Sequence, residues 1–354
     1  MKVPQFISSM RERIRAALGV DRLEEQIHSL QSANVALEKE VDQLRKLTMT
    51  GRQVQYVDFK QLRVFMYAED LSYRQITDPY KHQNPPDSLR DLSQPHTPPA
   101  LRFQNPREPL MGTLLSHHWL QNIDFCFFDI GCQYGTSAMA TAQIILASGR
   151  SNHVYAFDPG VAGQLAPHNI RLNGMEDRVT FYRSAVSNTS LPGLLFSELG
   201  HSENNRVVNR ELPTETLSYV TPRTTIDHFV GEHNIHQHLV LKIDTQGGEV
   251  EVFQGMRRTR RERLVTCLTE FSPLAIETRV PPGEWLTEVA EECTVFDVGQ
   301  INPSLTPSHK LRLIAKESFG SFVENLRHQA VPYTDLLLIP NALPGFGTLF
   351  AALQ

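Results

Sequence analysis

Apolar residues return alternately every four and three positions near the start of the chain, along the seam Leu23, Ile27, Leu30, Asn34, Leu37, Val41 and Leu44. This is a heptad rhythm, with Leu23, Leu30, Leu37 and Leu44 at d and Val20, Ile27, Asn34 and Val41 at a. β-Branched residues at a with leucine at d favour two parallel strands, and a single Asn at a fixes register. Glu40 at g can also meet Arg45 at e of a partner helix. The pattern predicts a parallel homodimer through residues 20–47. The alternative is an amphipathic helix lying on its own domain. Ahead of the seam, Phe6, Met10, Ile14 and Ala17 gather near one face, with Arg11, Arg13 and Arg15 among the rest. That predicts either weak contact of residues 1–18 with an anionic membrane surface or the frayed start of the coiled coil.

The pattern then changes twice. Residues 54–73 are mixed and apolar enough to pack, and "FKQLRVFMYAEDL" reads as a helix. Eight prolines between Pro79 and Pro109 forbid regular helix or central strand and predict an extended connector. From Met111 onward, strand-like runs at 125–130, 153–158, 179–184, 239–244, 263–271, 294–299 and 334–340 appear, the first five followed by helical patterns. Near-continuous apolar strands between helices predict a parallel α/β sheet covered on both faces. Residues 300–333 hold a helix-like "HKLRLIAKESFGSFVENL". The predicted plan is a helical segment over 1–50, a connector over 51–110 and an α/β domain over 111–354.

Composition narrows the setting. With 354 residues, 40% of them hydrophobic, the chain can bury a sizeable core. A net charge of −5 gives no reason to expect nucleic acid as a partner. The four cysteines, at 126, 132, 267 and 293, form no C-x-x-C and no close pairs, which predicts free thiols in a reducing compartment. No apolar run reaches the roughly 20 residues of a membrane span. The expected location is cytoplasmic, with the basic helix as the route to a membrane surface.

The strand ends carry the candidate chemistry, because ligands of doubly wound sheets sit beyond the carboxyl ends of the strands. The first run ends Asp129-Ile130-Gly131-Cys132-Gln133-Tyr134-Gly135. Gly131 permits a tight turn, and a helix beginning near Gly135 offers free N–H groups. The second run ends Asp158-Pro159, where a carboxylate can chelate the two hydroxyls of a ribose. A dinucleotide fingerprint needs a third glycine around a diphosphate, and Asp129 would repel that diphosphate. Asp129 can instead face an ammonium group, so the set suits S-adenosylmethionine (SAM) better than NAD. Both aspartates can alternatively cap loops. Ser184 and Ala185 stand at the third strand end, small enough for an adenine edge, and Lys242 and Asp244 at the fourth, before Gly247-Gly248.

In order and spacing, "FFDIGCQYG", "VYAFDPG", "NIRLNG", "VTFYRSAVSN", "TTIDHF", "LVLKIDTQGGEVEVFQGM" and "LTEFSP" resemble the FkbM family of SAM-dependent methyltransferases. The resemblance covers roughly residues 125–340. It implies a Rossmann-like class I fold, a mostly parallel seven-stranded sheet whose last strand is antiparallel. It also implies methyl transfer to oxygen, commonly a hydroxyl of a sugar, glycan or secondary metabolite. The family pattern V-E-G-x-E is replaced here by Thr245-Gln246-Gly247-Gly248-Glu249, so Gln246 removes a carboxylate. Cys132-Gln133-Tyr134 stands where Ala-Asn-Ile is usual. Asp129, Gly131, Cys132, Gln133, Gly135, Asp158, Pro159, Ser184 and Ala185 are the expected cofactor residues.

A hydroxyl acceptor needs a base near its attack position. Asp244 is the first candidate, with Lys242 organising the strand mouth and Glu270 of "LTEF" next. Asp244 can alternatively be purely structural or a neighbour of the SAM site. His117 and His118 either close over the site or serve packing. His233, His236 and His238 lack an obvious fourth ligand, so no metal is expected. "RRTRRER" at 257–263 reads as a solvated helix end rather than an RNA contact. The competing reading is an adaptor that acts through its coiled coil, its methyltransferase domain weakened by Gln246.

Overall fold

The computed structural model describes residues 27, 54–59, 62–67, 107–191, 193–197, 206–208, 217–299, 311–329 and 332–353. Two compact units divide the chain, Met1–Tyr56 and Val57–Gln354. In the first, Ile27 is helical and exposed. The heptad seam over 20–47, the basic helix over 1–18 and the proline-rich connector before Arg107 otherwise lie outside the described residues.

β1 (Val54–Phe59) and β2 (Leu62–Tyr67) form a two-stranded sheet. Within "FKQLRVFMYAEDL", where a helix is expected, Leu62–Tyr67 is strand instead. Val64, Phe65, Met66 and Tyr67 are all buried. Side chains on both faces of β2 thus find partners, and β-branched and aromatic residues prefer that setting.

α1 (Arg107–Leu120) leads into β3 (Phe125–Ile130), α2 (Thr136–Ala147), β4 (Val154–Phe157), α3 (Ala166–Leu172) and β5 (Val179–Tyr182). β6 (Ala185–Val186), β7 (Gly193–Ser197), β8 (Arg206–Val208), β9 (Leu217–Thr221) and β10 (Arg223–Thr224) follow. Of these, β8, β7 and β9 make a separate antiparallel sheet, and β6 pairs with β10 in parallel. α4 (Ile226–Glu232) then enters β11 (His238–Ile243), α5 (Glu249–Gln254), α6 (Arg257–Glu262) and β12 (Val265–Phe271). The chain closes with α7 (Pro273–Ile276), α8 (Pro282–Val289), β13 (Cys293–Gly299), β14 (Arg312–Leu313), α9 (Phe319–Arg327), β15 (Thr334–Pro340) and α10 (Phe346–Leu353).

The main sheet runs β14-β13-β15-β12-β11-β3-β4-β5. β5, β4, β3, β11 and β12 are parallel, and β15 is antiparallel to both its neighbours, β12 and β13. Eight strands replace the expected seven. The addition is β14, which pairs with the edge strand β13 inside a segment that reads as helix. Among its described residues, helix is confined to a 3-10 turn at Lys316–Ser318 and to α9, with Phe319, Phe322, Val323 and Leu326 on its buried face.

One face of the sheet packs Phe128, Leu241, Cys267, Phe271 and Leu338 under α4, α5, α8 and α9. Trp285 of α8 stacks on Phe271, and Phe322 of α9 stacks on it from elsewhere. On the other face, His118 and Trp119 of α1 lie against Phe125, and Phe350 of α10 lies against Phe296. Strand order reverses between β3 and β11, so a crevice opens beyond their carboxyl ends.

Candidate functional site

The β3–α2 loop is held by backbone bonds from both sides. The Gly131 and Cys132 amides donate to the Phe157 carbonyl at 2.9 and 3.1 Å, and the Gly135 amide donates to the Cys132 carbonyl at 2.7 Å. Three of the five loop residues are left-handed, at φ +79° for Gly131 and Gly135 and +49° for Gln133. Gly131 has a steric reason as well. A Cβ there would stand 1.9 Å from the Asp244 carbonyl oxygen. The close approach that its missing side chain permits is thus to the end of β11.

Asp158 follows β4 and turns back to this loop. Its Oδ2 accepts from the Gln133 amide at 2.7 Å and its Oδ1 from the Gly160 amide at 2.6 Å. Burial pushes its pKa up to about 6, and the two amides oppose that rise. A carboxylate oxygen accepts more than one hydrogen bond. Each oxygen therefore keeps capacity for a ligand hydroxyl. Pro159 follows it, half-buried. Cys132 is buried and its thiol is pushed well above its ordinary pKa, so it is an inert filler.

Asp129 is fully buried. Its Oδ1 meets the Lys242 ammonium at 3.2 Å, and the Ala138 backbone amide also favours its charged form. Burial raises its pKa and Lys242 opposes the rise. Within the chain itself, the ammonium that Asp129 faces is that of Lys242. The same Nζ lies 3.4 Å from the Gly131 carbonyl oxygen and 3.7 Å from Asp244 Oδ2. Lys242 and Asp129 are direct register partners across the switch point.

Asp244 and Glu270, at the ends of β11 and β12, are joined by Gln246. Its Nε2 donates to Asp244 Oδ1 at 3.1 Å and to Glu270 Oε2 at 3.5 Å. A carboxylate at 246 would instead repel both. Gln246 holds φ +54°, and the following loop closes on Glu249. Glu249 Oε1 accepts from the Thr245 amide, the Thr245 hydroxyl and the Gly247 amide, at 2.9, 2.9 and 3.3 Å. Burial lifts its pKa to about 7. Glu249 lies in the motif replacing V-E-G-x-E, but its role as the loop's acceptor depends on the fold.

Ser184 and Ala185 stand just past β5, whose end is beside Asp158: the Asp158 amide donates to the Tyr182 carbonyl at 3.2 Å. The Ser184 hydroxyl donates to the Pro222 carbonyl at 3.1 Å, and the Ala185 amide donates to the same oxygen at 3.0 Å. The histidines lie elsewhere. His118 is buried between the Leu114 carbonyl and the Thr266 hydroxyl in mid-strand, and His117 meets the Pro344 carbonyl. His233 stacks on Phe229, while His238 Nδ1 accepts from the Leu264 amide. In the basic run, Arg260 pairs with Glu292 and Arg263 donates to the Ile235 carbonyl.

Tyr134, noted above as a departure in the first loop, and Asn169 are not among the expected site residues. Asn169 is buried and donates to the Tyr134 carbonyl at 3.0 Å. Its signal is "NIRLNG", with Asn169 and Asn173 one helical turn apart.

Residues 129–294 match the family model described as the methyltransferase FkbM domain. No curated protein matches the chain. Among solved structures, an FkbM methyltransferase from Methylobacillus flagellatus is 13% identical, covers 60% of this chain and has a TM-score of 0.34. A putative class I S-adenosylmethionine-dependent methyltransferase from Listeria monocytogenes is 8% identical, covers 68% of this chain and has a TM-score of 0.34. The present chain spans 43% and 61% of their lengths. The segment 129–294 that matches the methyltransferase FkbM domain model carries its motifs in family order on the ends of β3, β4, β11 and β12.

Proposed function

We propose that the protein transfers a methyl group from SAM to a hydroxyl oxygen of a sugar, glycan or related metabolite. One observation carries this reading: Asp158 and the Asp244–Gln246–Glu270 cluster share the carboxyl edge of the sheet on either side of the switch point. SAM, when bound, supplies an electrophilic methyl group. The chain's own residues would do the rest. Asp158 would take the ribose hydroxyls on its remaining lone pairs, and Ser184 and Ala185 lie on the side where the adenine would follow. Gln246 and Lys242 hold Asp244 as an acceptor for the substrate hydroxyl, whose proton passes to Asp244 or to Glu270. Holding donor and acceptor in line can by itself lower the barrier by up to about 7–11 kcal/mol.

A cavity of about 620 Å³ lies farther along the same edge, lined by Asp297, Arg312, Ser321, Asn325, Gln329 and Thr334 among others. Thr334 pairs with Phe271 at the end of β12, which fixes the cavity to this edge. From β11 to β13 there are three strand spacings, or about 14 Å. The Thr334 and Ser321 hydroxyls already donate to Asp297 and to the Ser318 carbonyl but can still accept, and with Asn325 they suit a polyhydroxylated acceptor long enough to reach from the strand mouth, its apolar faces against Ile314 and Phe322. The heptad pattern over 20–47 supports a parallel dimer, and the basic amphipathic pattern over 1–18 supports weak contact with a membrane surface.

Titrating S-adenosylhomocysteine (SAH) into the full chain by calorimetry tests the reading. The wild type is expected to bind, and Asp158→Asn to bind about 10-fold or more weakly, since hydrogen bonds to a charged group are worth about 1.5–3 kcal/mol. No heat from the folded wild type would sink the enzyme reading.

A further inference from the structure

β2 lies outside residues 129–294, yet three of its backbone amides are bound by side chains from within them. The Arg63 amide donates to Asn173 Oδ1 at 2.8 Å, and Asn173 Nδ2 donates back to the Arg63 carbonyl at 2.7 Å. Asn169 repeats the exchange with Phe65, at 2.6 and 3.1 Å. The Tyr67 amide donates to the Tyr134 hydroxyl at 3.1 Å. Residues 63, 65 and 67 are alternate positions on one strand edge. Two residues of strand rise about 6.6 Å, and four residues of helix rise about 6 Å. Two carboxamides four apart can therefore bind β2 as a neighbouring strand would.

This docking reaches the glycine loop. Tyr134 lies between Gln133 and Gly135, the left-handed pair that precedes α2. Asn169 Nδ2 binds the Tyr134 carbonyl as well as that of Phe65, so one side-chain nitrogen holds both the loop and the strand. A non-glycine residue persists in the left-handed region only where its surroundings over-determine it. Asp158 supplies that restraint from one side of the loop and β2, through Tyr134, from the other.

We propose that β2 is a structural part of the cofactor site, and that Asn169 and Tyr134 are positioning residues coupling its docking to SAM binding. The inference rests on the SAM reading above. Coupling of this kind is reciprocal: docked β2 tightens cofactor binding, and bound cofactor tightens β2.

The test uses the full chain, calorimetry with SAH, and hydrogen exchange over residues 62–67. Tyr134→Phe removes a single hydroxyl and is expected to bind SAH about 5-fold more weakly, with Asn169→Ala weaker by about 10-fold or more. SAH is expected to slow exchange at Arg63, Phe65 and Tyr67 in the wild type, and less so in Tyr134→Phe. A purely structural role would lower the melting temperature but leave the affinity of the folded protein, and the response of β2 to SAH, unchanged. Wild-type affinity in Tyr134→Phe, or exchange in β2 indifferent to SAH, overturns the coupling. Should Asn169→Ala not fold, Tyr134→Phe decides. A wild type that fails to bind SAH removes the SAM reading and the coupling together, whereas binding without coupling removes only the latter.

Discussion

His118 shows how far the fold can move one residue from its reading as a sequence. In "LSHHWL" it is a candidate lid over the site, but in the structure it is wholly buried against Leu114 and Thr266. Burial lowers its pKa to about 4. An unfolded histidine titrates near 6.5, so between about 6.5 and 4 the unfolded chain holds a proton that the folded chain refuses. Stability from this group is present above that window and is lost as pH falls through it. Asp158 and Glu249 act in the opposite sense. Their raised values favour the protonated folded state, whose advantage disappears as pH rises through about 6 and about 7. His118→Gln is expected to lose about 2 kcal/mol less stability than the wild type between pH 7 and pH 5. Urea unfolding at the two pH values measures this, and equal losses would reject it. Gln246 is reassigned in the same way. In sequence it is a missing carboxylate, and in three dimensions it is a donor between Asp244 and Glu270.

At the scale of elements, periodicity located all seven long strands of the main sheet because their apolar runs are bounded by turn residues. It failed over Leu62–Tyr67, where a mixed apolar pattern suits helix and strand equally and only the partner decides. That partner is a pair of asparagine side chains more than 100 positions later in the chain. α6 shows a similar dependence. It is a run of arginines without a cap of its own, and Asp227 of α4 provides one. Asp227 Oδ2 accepts from the Arg258 amide at 3.0 Å, and Oδ1 from the Thr259 amide and hydroxyl at 2.8 and 2.7 Å. Asp227→Ala is expected to destabilise the protein by about 1–2 kcal/mol, with Asp227→Asn recovering part of it. Denaturant midpoints of the two variants check this, and a wild-type midpoint for Asp227→Ala would remove the cap from the account.

For the whole molecule, the compact unit begins at Val57, ahead of the long proline-rich stretch, and so includes a strand that the sequence assigns to a connector. Val64, Phe65, Met66 and Tyr67 lose nearly all their exposure there. Burying each such side chain is worth roughly 1.5–3 kcal/mol. A chain beginning at Met111 is therefore expected to unfold at markedly lower urea concentration than one beginning at Gly51. Equal midpoints would show that β2 contributes little to the unit.

The sequence by itself determined the strand order of chemistry: apolar runs ending in Asp129, Asp158, Asp244 and Glu270, with glycines where the backbone must turn. Those features are local, because a short apolar run, a turn and a helix start each depend on a few adjacent residues. Tertiary structure alone decided which charges meet. Lys242 reaches Asp129 because β11 lies beside β3, though 113 positions separate them in the chain. β2 became a strand because its edge amides found Asn169, Asn173 and Tyr134, which no periodicity within β2 encodes. Hydrogen bonding and burial are properties of neighbours in space, and only the folded chain specifies those neighbours.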